Sequence, residues 1–190
     1  RARTQTGVKL MRRAVVVVLD GMRRDLIGEA TTPALVGFAD RAQSFAAHRS
    51  MFPSATRVVS ASFATGCHPA RHELQGNTLA LLENGRLVYH DAGHPDFLQH
   101  KRRATGRSLA VPTLAERLEP HGGMILFSNV SPGAAYFLDP EHFGYVYHRA
   151  GSFAPGGVPI TGSDTLAVTH DLAGDERSEE HTSELQSLSH

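Results

Sequence analysis

Two side chains in this sequence have the type and placement to do chemistry. Asp20 closes an apolar run, Val15-Val16-Val17-Val18-Leu19, and is followed by Gly21. A continuous β-branched run predicts a central parallel strand covered on both faces. Open α/β sheets place their chemistry just beyond the carboxyl ends of such strands, so Asp20 is placed to act as a metal ligand or catalytic acid. Thr56 follows Pro53-Ser54-Ala55 and begins a helical pattern. There the unsatisfied N–H groups and the helix dipole favour an anion, and a phosphate drawn to them would meet the Thr56 hydroxyl as a nucleophile. Local sequence by itself favours a plainer role for Thr56, the helix N-cap.

The elements that must position these groups follow from the pattern of the chain. Thr32 and Pro33 read as N-cap and first helical residue, with Leu35, Phe38, Ala39 and Ala42 as the buried face. Residues 44–48 suit a short strand. Val58, Val59, Ser62 and Phe63 predict a helix from Thr56 to Thr65, closed by Gly66. Two extended runs, 79–82 and 86–90, flank Glu83-Asn84-Gly85, a hairpin signal. Residues 96–108 are basic and read as an irregular surface excursion. A short helix is expected at 112–119 and a buried strand at 124–127. Residues 131–159, rich in Gly, Pro and aromatics, read as a loop-dominated insertion. The alternation of strand and helix is a doubly wound α/β layout.

Composition narrows the function classes. The chain has 190 residues, 41% hydrophobic and 20% charged, with 19 basic and 19 acidic side chains in balance. No net charge points to nucleic acid or an anionic membrane, and no apolar stretch is long enough to span a bilayer. No signal peptide is visible, which favours the cytoplasm. A start at Met11 or upstream is expected, because the first residue is Arg. The lone Cys67 excludes an intramolecular disulfide. Residues 177–190 break the style of what precedes them, and 177–187 resemble the translation of a sequencing adapter. They are therefore set apart from residues 11–176, which are expected to be the N-terminal part of one catalytic domain.

The order Leu19-Asp20-Gly21, Thr32-Pro33, Phe52-Pro53-Ser54-Ala55-Thr56, Ala64-Thr65-Gly66, His72 and Asn77 resembles the alkaline phosphatase superfamily, and within it the type I phosphodiesterase / nucleotide pyrophosphatase branch. The resemblance covers the first eighty or so residues well and 111–131 loosely. It implies a three-layer α/β/α sandwich with a mostly parallel sheet, incomplete at the C-terminus of this chain. By the same resemblance Asp20 is a metal ligand, Thr56 is nucleophile and metal ligand together, and Asn77 contacts a non-bridging phosphate oxygen. The expected cofactors are two divalent metal ions, zinc by ligand type, and the expected partner is a small phosphodiester or nucleotide. The reaction implied passes through a phosphothreonine. His72-Glu73 stands where the family commonly has His-Gly. The family's later ligands, an Asp-x-x-x-His pair, an Asp-His pair and a late His, are expected beyond residue 176, and without them this chain is expected to be inactive. His170-Asp171 has the wrong order and is given no role.

Alternatives stay open at this level: a phosphonate hydrolase, a phosphomonoesterase, sulfatase-like chemistry, or a non-catalytic α/β binding protein. Cys67-His68-Pro69-Ala70-Arg71 resembles the sulfatase signature, but it follows Thr65-Gly66 where the sulfatase motif precedes it. Cys67 therefore reads as a small, partly buried thiol. Arg57 reads as a surface arginine next to the site. The histidines, His90 and His100 among them, show no pairing at metal-ligand spacing; His68 or His72 is the best placed to line the site, and most of the others read as solvated. Asn129-Val130-Ser131, followed by Pro132, is set aside as a glycosylation signal.

Overall fold

The computed structural model describes residues 13–128, 132–148 and 151–161. Met11, Asn129-Val130-Ser131, His170-Asp171 and the tail 177–190, together with the boundary at 176, lie outside the described residues. The chain divides into two compact units, Arg1–His48 and Arg49–His190. Described elements form a mixed α/β protein, and no helix among the described residues is long and apolar enough to cross a membrane.

In the first unit the buried strand expected at 15–19 is not formed. These residues are extended without a strand partner, and Val15 and Val17 are 88% and 74% exposed. A strand is held by the neighbour that takes its N–H and C=O groups and by the layers that cover its faces. Among the described residues no strand pairs with this run, so its β propensity alone does not make a ladder. A turn follows, with the Met22 amide donating to Leu19 O at 3.3 Å and Gly21 at φ +68°. Helix α1, Pro33–Ala39, begins as the sequence reads, with Thr32 at the cap position and Pro33 first. Thr32 Oγ1 accepts from the Gly28 amide at 3.2 Å. Phe38, expected inside, is exposed. The strand expected at 44–48 is a turn, His48 N donating to Phe45 O.

The second unit is built on α2, Thr56–Thr65, whose buried residues Val58, Ala61 and Ser62 recur at i, i+3 and i+4. It stops where Gly66 takes the left-handed conformation at φ +66° and donates its amide to Ser62 O at 2.8 Å. A short α3, Pro69–His72, leads to the antiparallel hairpin of β1, Thr78–Glu83, and β2, Arg86–Asp91. The turn is the one Asn-Gly favours: Asn84 and Gly85 both have positive φ and Glu83 pairs with Arg86.

Residues 96–108, read as an irregular excursion, contain a helix instead: α4, Phe97–Thr105. Its inner face is Phe97, Lys101 and Ala104. Lys101 disguises the stripe, since its stem is buried while its ammonium meets Glu73 Oε2 at 3.3 Å and Thr105 Oγ1 at 3.5 Å. Helix α5, Leu114–Leu118, is capped by Thr113, whose hydroxyl accepts from Glu116 N at 3.3 Å.

The stretch read as a loop-dominated insertion supplies most of a sheet. Strand β3, Ile125–Ser128, runs parallel to β4, Tyr145–His148, with α6, Pro132–Leu138, as the crossover. Strands β5, Gly151–Ala154, and β6, Val158–Pro159, add antiparallel, giving the order β3-β4-β5-β6. The sheet is therefore small and mixed, with one parallel pair among the described strands. Strand β3, expected to be buried, alternates instead: Leu126 and Ser128 are covered while Ile125 and Phe127 are open. The glycines and prolines of this stretch shape tight turns between short elements. Asp139 closes one of them, its carboxylate accepting from Phe143 N at 3.0 Å and Gly144 N at 2.7 Å. A Cβ at residue 144 would stand 2.5 Å from Met124 O, which accepts from Tyr145 N, so only glycine lets β4 dock on β3. The main core gathers Ala55, Val58 and Ala61 of α2 and its approach, Leu74, Leu81, Phe97 and Phe137.

Candidate functional site

Asp20 lies in the first unit, exposed, in the turn after the apolar run. Thr56 and Asn77 lie in the second. Thr56 is exposed and is the first residue of α2, while Ala55 holds the cap position with extended backbone and no side-chain cap. The N-cap reading of Thr56 is thereby corrected: its hydroxyl belongs one residue further on, at the first helical position. Amides of that first turn have no partner inside the helix, and the dipole adds positive potential beside them.

Arg57 is half-buried, which corrects its reading as a surface residue. Its Nη1 donates to Asn77 Oδ1 at 3.4 Å, and its Nε is buried without a hydrogen-bond partner. Because arginine only donates, the facing atom of Asn77 must be its oxygen. The guanidinium lies so close to Gly93 that a Cβ there would be 2.5 Å from Nη2. Asn77 itself is anchored at the hairpin base, its carbonyl accepting from Ala92 N at 2.7 Å. Thus the start of α2 and the entry to β1 bring Arg57 and Asn77 together. Two surface hollows, one bordered by Arg107, Glu116 and Glu141 and another by Leu98, Tyr136 and Phe153, include neither Thr56 nor Asn77.

His72 is not at a site mouth. It is fully buried, its Nδ1 accepts from Leu74 N at 3.2 Å, and its Nε2 meets Ser62 Oγ at 2.9 Å. With Nδ1 as acceptor, the neutral ring carries its proton on Nε2 and donates to the serine. Burial pushes its pKa below the ordinary 6.5, a backbone hydrogen bond opposes this, and the charge of Lys101 assists it. Buried His148 is displaced in the same direction, by burial first and then by the charge of His142. The unfolded chain takes up protons near pH 6.5 that these folded rings resist, so unfolding binds protons as pH falls. Their contribution is complete above about pH 6.5 and is lost as pH falls through the lowered folded values. The urea midpoint is therefore expected to fall between about pH 7.5 and about pH 5.5, and His72→Gln should flatten that fall. His68 is exposed, and Cys67 is partly buried just after the end of α2, as expected of a packing thiol.

Among the described residues, one group of three metal-ligating side chains converges: Glu83, His90 and His100. It contains neither Asp20 nor Thr56. Sequence spacing pairs neither His90 nor His100 with another ligand, yet both reach Glu83, and their side chains are only 14% and 31% exposed. Glu83 Oε1 lies 2.9 Å from His100 Nδ1 and 3.0 Å from His90 Nε2. The hydrogen bond from His100 holds the Glu83 carboxyl below the usual carboxylate range, aided by the charges of both rings and opposed by partial burial. A signal for part of this group was present. The Asn84-Gly85 turn pairs 83 with 86 and puts 79, 81, 83, 86, 88 and 90 on one face. His100 was hidden because α4 had been read as irregular.

No curated protein and no solved structure matches the chain. The family model for type I phosphodiesterases / nucleotide pyrophosphatases matches residues 14–150, a span that takes in Asp20, Thr56 and Asn77. With well over half its length covered by that match, the chain belongs to the type I phosphodiesterase / nucleotide pyrophosphatase family.

Proposed function

We propose that Thr56 is the nucleophile of a metal-dependent hydrolase that cleaves phosphodiester or pyrophosphate bonds of small molecules, nucleotides among them. The observation that carries this reading is the family match across 14–150, with an exposed threonine on the first turn of α2 inside it. On this reading residues 11–176 belong to one alkaline-phosphatase-like catalytic domain, a three-layer α/β/α sandwich with a mostly parallel sheet.

Thr56 Oγ attacks phosphorus, a P–Oγ bond forms, and the bond to the leaving oxygen breaks; that oxygen departs with a proton. Water then cleaves the phosphothreonine, returning the hydroxyl. The amides at the start of α2 face the charge that builds on the phosphoryl oxygens. Asn77, with Oδ1 committed to Arg57, offers its amide NH₂ side to one of those oxygens. Arg57 fixes that orientation.

Asp20 and Thr56, both exposed residues, carry oxygen donors of the kind a divalent cation accepts. Each is taken as a ligand on its own chemistry. Two bound cations, zinc in first place, would lower the energy of the alkoxide and neutralise the phosphoryl charge.

Metal removal tests the reading. In protein made from the whole reading frame of its gene, EDTA should lower hydrolysis of bis(p-nitrophenyl) phosphate by more than about 100-fold, corresponding to several kcal/mol of lost charge stabilisation. Added zinc should restore it, and Asp20→Asn should raise the zinc concentration needed by about tenfold or more. Undiminished turnover in EDTA would exclude the metal-dependent mechanism.

A further inference from the structure

We propose that Glu83, His90 and His100 form a divalent transition-metal site, with zinc as the fitting ion, that pins the β1–β2 hairpin to α4. The donors come from three elements: the last residue of β1, the penultimate residue of β2 and the middle of α4. By register Glu83 and His90 stand four residues apart along one face, about 13 Å of strand. Their side chains nevertheless meet, so both reach along that face toward each other, and His100 of α4 reaches the same carboxylate oxygen. The three donor atoms all lie within 4.8 Å of one another. Zinc–ligand bonds of about 2.0–2.1 Å in a tetrahedron separate donors by about 3.3 Å. The two contacts on Glu83 Oε1, 2.9 and 3.0 Å, need to open by a few tenths of an ångström, and the two ring nitrogens, within 4.8 Å of each other, to settle at the same spacing.

A second observation singles out His90. Its Nε2 is buried and, although 3.0 Å from the carboxylate, makes no hydrogen bond of acceptable angle. An imidazole nitrogen in that position serves a cation better than it serves the carboxylate. Two imidazoles and one carboxylate suit zinc, not magnesium or calcium, which prefer all-oxygen shells. Exposures of 14%, 26% and 31% leave a path for the ion and a fourth position for water. The fold has a use for such a cross-link. A two-stranded sheet is marginal by itself in water, and this one leaves Leu82, Leu87 and Tyr89 open on the hairpin.

The site shares no residue with the proposed nucleophile and stands independently of it. The test is a titration of the full chain with zinc sulfate, followed by imidazole ¹H–¹⁵N spectra and thermal melting. The expected result is a saturable shift of the His90 Nε2 and His100 Nδ1 signals and a melting temperature that rises with zinc concentration. The shift should persist in the Asp20→Asn/Thr56→Ala double variant, which separates this site from any metal held there. Glu83→Gln, nearly isosteric and so expected to fold, should weaken the zinc response at both rings by at least about tenfold, as should His100→Ala. Zinc binding that leaves both ring signals in place, or affinity unchanged in Glu83→Gln, would overturn the proposal and leave the group a hydrogen-bonded triad.

Discussion

In protein made from the whole reading frame, Thr56→Ala is expected to lower turnover of a phosphodiester substrate by about 10⁴-fold or more while leaving the fold intact. The magnitude is that of removing a covalent nucleophile from a group that works as a unit. The fold is spared for local reasons. Thr56 is exposed, and the backbone bond that starts the helix, Val59 N to Ala55 O at 2.9 Å, does not involve its side chain. Alanine is the better helix former, so stability should stay within about 0.5 kcal/mol. Thr56→Ser keeps the oxygen and loses only a methyl group, and should retain substantial turnover. Three measurements on the same preparations decide the matter: steady-state rate, melting temperature, and acid-quench trapping of phosphate on the protein. Wild type should show label on the peptide carrying Thr56 and the alanine variant none. Wild-type turnover in Thr56→Ala would remove the nucleophile assignment, while a lost rate with a collapsed melting transition would mean that the side chain supports the helix.

Much of the local structure that carries Thr56 was legible because its signals are short-range. Gly66 ends α2 through its own left-handed conformation, and Asn84-Gly85 turns the hairpin with both residues at positive φ. Each needs no information from outside a few residues. The failures share the opposite property. Residues 15–19 have the propensity of a buried strand, but a strand depends on neighbours that the run itself cannot supply, and here it is exposed. Helix α4 carries its inward stripe through a lysine whose charge is matched by Glu73, 28 residues away. Read locally, that lysine marks a surface. The sheet in 145–159 was masked by turn-forming residues such as Gly144, which is there because the Met124 carbonyl leaves no room for a Cβ. The Glu83, His90 and His100 group is legible only in part, because the hairpin turn puts 83 and 90 on one face but says nothing of His100. Its spacing follows no single helix or strand, and it exists only once the hairpin register and α4 are both in place. Arg57 had looked like a bystander for want of Asn77, twenty residues on.

Phe137→Ala should destabilise the second unit by about 3–5 kcal/mol, the cost of removing a large ring from a site that cannot collapse around the gap. Phe137 has no exposed surface, and its ring lies 6.1 Å from that of Phe97 at an angle of 56°. It belongs to the cluster that also buries Ala55, Val58 and Ala61, so it joins α6 and α4 to the inner face of α2. Domains of this size are commonly stable by about 5–15 kcal/mol, and the loss would therefore take much of the total. Urea unfolding should show the midpoint falling with the slope unchanged. Phe137→Leu, which refills most of the volume, should lose clearly less. A loss below about 1 kcal/mol for the alanine variant would mean that this cluster does not carry the fold. The chemistry should respond as well, because Ala55 and Val58 flank Thr56 and Arg57. The helix start that presents the hydroxyl shares its buried cluster with the ring being removed. Loosening it should lower turnover at temperatures where the variant is still folded, since misplacing a reacting group by about 1 Å costs on the order of 100-fold.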